Sequence, residues 1–180
     1  MASRALQPVR HALLLGRQVA LVVGRSLHDQ RALLDDRDAL GPKRVVMTDK
    51  GDSLPPPYKW VDNEWSWLDQ TDLVFIDPVS TGYSRAAKDV DPKQFHGFTG
   101  DIESVGEVIR LWTSRNGRWM SPKFLAGESY GTIRAAGLAA YLQSRHGLYL
   151  NGILLISSVL DLATVDFKEG NELPYAHYLP

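Results

Sequence analysis

From about residue 70 onward, short unbroken apolar runs alternate with stretches whose apolar residues recur every three or four positions. Leu73-Val74-Phe75-Ile76, bounded by Asp72 and by Asp77-Pro78, predicts a strand buried on both faces, as in a parallel sheet. Lys123-Phe124-Leu125-Ala126 and Ile153-Leu154-Leu155-Ile156 predict two more. Between the first and second lie Phe98, Ile102, Val105, Ile109 and Trp112, an amphipathic stripe that predicts a helix over 100–115, ending near Asn116-Gly117. Between the second and third an Ala-rich stretch predicts a helix over 132–146, with Gly147 just past its end. Strand, helix, strand, helix, strand is the order of an α/β fold with a mostly parallel sheet and flanking helices.

The text before residue 40 differs. Val19–Val23 is apolar enough for a short strand, but nothing around it builds a unit, and Arg31–Asp38 is nearly all charge and leucine. The organisation read from the sequence is therefore an aberrant segment over 1–40 followed by one α/β unit over 41–180. Gly51–Tyr58 is an extended, proline-rich surface loop. Asn63–Trp67, with two tryptophans in polar surroundings, predicts a loop packed by its aromatics.

Composition narrows the function. With 20 Lys+Arg against 21 Asp+Glu in 180 residues, the chain lacks the basic excess of an electrostatic nucleic-acid binder. The absence of cysteine excludes a disulfide scaffold, a thiolate metal site and a cysteine nucleophile. Five scattered histidines show no zinc-type spacing, and no phosphate- or dinucleotide-binding glycine motif occurs, so neither metal nor cofactor is expected. No uncharged apolar run is long enough to span a bilayer, and Arg17 splits the apolar N-terminal stretch, unlike a secretory leader.

The chemistry concentrates in Gly127-Glu128-Ser129-Tyr130-Gly131, which follows the second strand and opens the second helix. G-x-S-x-G at such a junction is the nucleophile elbow, in which a sharp turn lifts the serine hydroxyl to the exposed end of the sheet. Gly127 and Gly131 permit the close backbone approach that the turn requires. The Tyr130 N–H can donate to a developing oxyanion, aided by the helix dipole. The alternative is an ordinary turn in which Ser129 caps the helix. Taken alone, Glu128 reads as a solvated first-turn acid.

Residues from about Ala39 onward resemble the bacterial branch of the serine carboxypeptidases. The resemblance rests on Leu40-Gly41-Pro42, Asn63-Glu64-Trp65-Ser66-Trp67, Phe75-Ile76-Asp77-Pro78-Val79-Ser80-Thr81-Gly82-Tyr83-Ser84 and the G-E-S-Y-G block. It implies an α/β-hydrolase fold, a peptide substrate, and release of C-terminal residues through an acyl-enzyme on Ser129. It also assigns substrate contacts to Glu128 and Tyr83. Glu128 would face the substrate's terminal carboxylate, an arrangement that raises a carboxyl pKa and favours acidic pH. Members of the family are often secreted, periplasmic or vacuolar.

Two parts of the family pattern are missing. The N-G-G-P-G block, which supplies an oxyanion donor and a carboxylate-binding Asn, has no counterpart before Leu40, where Val23–Arg31 reads differently. A divergent N-terminus or an upstream frame error would each explain this, and the abruptness favours the second. The hydrolase order is Ser, then acid, then His. His146 ends the elbow's own helix about 25 Å from the serine, at 1.5 Å per residue, and reads as a helix-end cation. His177 resembles the start of the family's cap region, and Asp161 matches a structural turn. The chain is therefore expected to be an N-terminal fragment, inactive alone, ending where the cap begins. An esterase or acyltransferase on the same elbow, or a non-catalytic pseudo-hydrolase, are the competing readings.

Overall fold

The structure, a computed structural model, describes residues 18–23, 41–48, 52 and 54–178. Four strands form one sheet: β1 (Gln18–Val23), β4 (Thr71–Phe75), β5 (Lys123–Glu128) and β6 (Gly152–Ile156). Two short strands, β2 (Lys43–Val45) and β3 (Trp60–Asp62), pair antiparallel as a separate ribbon. The helices are α1 (Phe98–Arg115), α2 (Tyr130–His146) and α3 (Leu173–Tyr178). The sheet order is β4-β1-β5-β6 and every pairing in it is parallel. The three strands and two helices expected from the apolar pattern are present, within a few residues of the expected ends.

The sheet differs from expectation at β1. The apolar run over 19–23 is not a strand without a unit: Leu21 is in register with Val74 on one side and Leu125 on the other. The backbone of a central strand is satisfied by both neighbours, and those neighbours come from far along the chain, where a local reading cannot see them. The change of text near residue 40 is thus not an edge of the sheet. Residues 1–17 and 24–40, including most of the segment read as aberrant, lie outside the described residues.

Alternation along the strands sorts the core. Leu125 joins Ile102, Val105, Ile109, Leu138 and Leu142 in the cluster beneath the helices, with Val74 and Ile76 packed against it. Ala126, Leu73, Phe75, Leu154 and Ile156 face the other way, over Trp67. Ile109, Leu125, Leu138 and Leu142 are fully buried, and each such side chain contributes about 1.5–3 kcal/mol through removal from water. The helices approach closely where Gly106 of α1 meets Tyr141 of α2. α2 ends as expected: Gly147 takes φ 61°, and its N–H donates to the Gln143 carbonyl.

The other loops are held by polar contacts. Asn63, buried, donates from Nδ2 to Gly41 O (2.9 Å) and accepts the Trp65 N–H at Oδ1 (3.1 Å). Only Trp67 of the two tryptophans in that loop packs inward, and Trp65 is 76% exposed. An aromatic-packed loop was expected there, but the asparagine holds it. At the amino end of β5, Lys123 Nζ donates to Trp119 O (2.6 Å) and Ser121 O (2.8 Å). Burial pushes its ammonium below the ordinary lysine pKa, and nearby Arg118 adds to the effect. Among the described residues no helix is long and apolar enough to cross a membrane.

Candidate active site

Because the strands are parallel, their carboxyl ends share one edge, which is where open α/β sheets place their sites. At the end of β5 the chain reverses at Ser129, whose φ of 52° and ψ of −118° lie outside the regions open to L-residues. The turn is pinned from three sides. The Ser129 N–H donates to Ile156 O (3.0 Å), and the Thr132 N–H donates to Ser129 O (3.0 Å). The Thr132 hydroxyl lies 2.6 Å from Ser129 O and 2.9 Å from Val159 O, and it accepts the Val159 N–H at 3.0 Å. A Cβ on Gly127 would fall 2.0 Å from the Gly131 carbonyl oxygen, so the first glycine of the motif is required by contact with the last.

Ser129 makes no side-chain hydrogen bond to cap α2. This speaks against a capping role for Ser129, because a capping serine has an extended backbone and gives its oxygen to the N2 or N3 N–H. Tyr130 is the first residue of α2, so its N–H belongs to the set that has no partner within the helix. Glu128 is the last residue of β5, in register with Ile156 and half-buried.

A buried ion pair that the motif reading did not anticipate backs the elbow. Arg134 Nε donates to Asp101 Oδ2 at 2.7 Å, with side-chain exposures of only 8% and 7%. The Arg134 guanidinium carbon also stands 5.2 Å from the centre of the Tyr130 ring, a cation–π distance. The pair ties the first turn of α1 to the first turns of α2. Its sequence signal was available: Arg134 falls on the same helical stripe as buried Leu138 and Leu142, where a charge requires a buried partner.

After β4 the Asp77-Pro78 segment folds into a tight turn. The Thr81 N–H donates to Pro78 O (3.0 Å) and the Ser84 N–H to Thr81 O (2.8 Å). Ser80 has φ 70° and Gly82 has φ 46°. A Cβ on Gly82 would overlap the Asp77 carboxylate. Tyr83, expected to contact substrate, is 96% exposed. Between this turn and α2 lies a cavity of about 230 Å³, lined by Pro78, Ser80, Phe95, His96, Tyr130 and Arg134 among others.

The three described histidines, His96, His146 and His177, lie on separate elements. His96 Nε2 is 3.0 Å from Ser80 Oγ. His146 ends α2 and sets its ring edge-on to Tyr141, with centroids 5.4 Å apart. His177 lies in the last turn of α3. Asp161 accepts the Ala163 N–H and caps the 3-10 turn Leu162–Val165, the structural role expected for it. Among the described residues no cluster of His, Asp and Glu is arranged to hold a metal ion.

These features define an α/β protein with a strained strand–serine–helix turn at the carboxyl edge of a parallel sheet. The chain belongs to the serine carboxypeptidase family, whose model matches residues 40–178. The match begins where the text of the sequence changes and leaves β1 ahead of it. No curated protein matches the chain.

Proposed function

We propose that Ser129 is the acyl-accepting nucleophile of a serine-type carboxypeptidase built on the α/β-hydrolase fold. The observation that carries this reading is the backbone of Ser129, at φ 52° with its hydroxyl not spent on capping α2. In the reaction the hydroxyl oxygen attacks the scissile carbonyl carbon and its proton passes to a base. The oxyanion so formed accepts the Tyr130 N–H. Collapse expels the C-terminal residue as its amine, and water then releases the acyl group from Ser129. Glu128, beside the serine, is the proposed contact for the substrate's terminal carboxylate. Family membership supports the choice of peptide over simple ester.

A serine hydroxyl needs a base, and among the described residues His96, His146 and His177 are engaged or placed as described above. The chain alone is therefore expected to give no burst with an activated ester at neutral pH. Added imidazole should substitute for the base, so a fluorophosphonate should then label Ser129, located by peptide mass spectrometry. Ser129→Ala should abolish the adduct. Absence of a Ser129 adduct across imidazole concentrations and pH, or an adduct that survives Ser129→Ala, would remove the serine from this role. Blocked dipeptides against simple esters, compared under the same conditions, separate peptidase from esterase chemistry.

A further inference from the structure

The two edges of the parallel sheet differ. β4 carries Asp72, which Arg118 holds at 2.7 Å, and none of its side chains is exposed. β6 pairs with β5 on one side, and among the described residues no strand pairs with the other. An open edge presents a row of backbone donors and acceptors, and proteins guard it with a charge, a proline or a bulge. β6 has none of these. Gly152-Ile153-Leu154-Leu155-Ile156 is wholly apolar and stays in unbroken register with β5. Ile153 and Leu155 are exposed. Ile153 is in register with Leu125, which lies in the cluster beneath the helices, so both exposed residues sit on the helix face at the rim of the sheet.

Symmetry and charge restrict what can cover this edge. In a parallel pair the two strands turn different residues toward each other, so a strand meets its own copy across a two-fold axis only antiparallel. β6 suits that pairing. Centred on Leu154, it sets Leu154 against the partner's Leu154 and Ile153 against the partner's Leu155, with no like charges opposed. A two-fold axis perpendicular to the sheet keeps both helix faces on one side. α2 packs on β6, so α2 and its copy then flank a trough that Ile153, Leu155 and the same two residues of the partner fill.

The two ends of β6 are also opposite in charge. Before it, α2 ends in Arg145 and His146, and Arg145 is exposed with no ion pair among the described residues. After it, the Val159 N–H donates to Thr132 Oγ1, which turns the chain toward the start of α2 on the helix face. The segment 161–172 that follows carries Asp161, Asp166, Glu169 and Glu172 against Lys168 alone. Antiparallel pairing brings the basic end of each copy beside the acidic end of the other.

We propose that β6 is a self-docking edge, at which two copies of this chain pair β6 against β6, antiparallel, about a two-fold axis at Leu154. Each four-stranded sheet then continues into the other. Each copy offers one such edge, so the assembly closes as a dimer and not as a fibre. The pairing is independent of the role of Ser129.

Sedimentation of the full 180-residue chain from micromolar to millimolar concentration should show a reversible monomer–dimer equilibrium. The chain has no cysteine, so single cysteines report position without background. Leu154→Cys should cross-link to its own copy on mild oxidation, because directly opposed residues of antiparallel strands have Cα atoms about 4.5–5.5 Å apart, within disulfide reach. Tyr58→Cys, in an exposed loop, should not. The double variant Ile153→Glu/Leu155→Glu opposes like charges across the seam and should raise the dimer dissociation constant at least about tenfold. Both sites are exposed, and an unchanged near-ultraviolet spectrum shows that the chain is still folded. Mixing it with Ile153→Lys/Leu155→Lys should restore a dimer containing one chain of each kind. A monomer at every concentration, a species larger than a dimer, a dimer that the glutamates leave unchanged, or no cross-link at Leu154 would each overturn the proposal. In a monomer, β6 amides protected from hydrogen exchange would assign the edge to another segment of the same chain.

Discussion

Ser129 holds a conformation that glycine takes freely and serine does not. Such strain costs about 1–3 kcal/mol, and the hydrogen bonds from Ser129 and Thr132 around the turn maintain it. Ser129→Gly should therefore stabilise the chain by about 1 kcal/mol, the relief of strain less the greater chain entropy of glycine. Ser129→Ala keeps the strain and should change stability by less than about 0.5 kcal/mol. Denaturant midpoints at constant slope measure both, and a loss of stability in Ser129→Gly would mean the turn is relaxed. The position of the serine was legible because a glycine spacing sits between a strand pattern and a helix pattern. Its choice between nucleophile and cap was not, since both use the same residue at the same place and differ only in φ and in where the oxygen points. Tyr83 shows a similar limit, because a motif names a residue without fixing its exposure.

The elements are joined by polar pairs of very unequal burial. Arg44 and Glu64 make a two-pronged contact at the surface, at 2.8 and 3.0 Å, which holds the guanidinium above and the carboxyl below their ordinary pKa. Asp101 and Arg134 are almost wholly out of water. Removing one partner strands the other, so Asp101→Ala should cost about 3–5 kcal/mol. The double variant Asp101→Leu/Arg134→Met should lose much less, because no buried charge remains. A double-mutant cycle in urea makes the comparison; additive losses would show that the two groups do not depend on each other. Helices and strands were legible from apolar spacing alone. This brace was only half legible: an acid in the first turn of a helix is favoured by the dipole whatever its partner, and nothing local connects Asp101 to a residue 33 positions later.

At the scale of the molecule, one parallel sheet is assembled out of chain order. The pattern predicted three of its strands and their direction, because their apolar runs are unbroken and the crossovers between them are helical; burial on both faces, expected of all three, fails in β6, where Ile153 and Leu155 are exposed. It did not predict that β1 separates β4 from β5, since strand order depends on pairings between distant segments. Proline at Leu21 would remove a ladder donor and clash within a strand that has neighbours on both sides. Leu21→Pro should therefore abolish cooperative unfolding and the near-ultraviolet signal of the packed aromatics. Leu54→Pro, in the exposed proline-rich loop, should leave both intact. A folded Leu21→Pro chain would show that the sheet closes without β1.

The place of β1 also sets a timetable for synthesis. Its partners are translated roughly 50 and roughly 100 residues after it, and such distant pairings close slowly. At about 5–20 residues per second, the nascent β1 waits several seconds for β4, and about as long again before β5 emerges. Until β4 emerges its backbone has neither neighbour, and until β5 emerges it has one at most, so this strand is the part of the sheet exposed to mispairing for longest during synthesis.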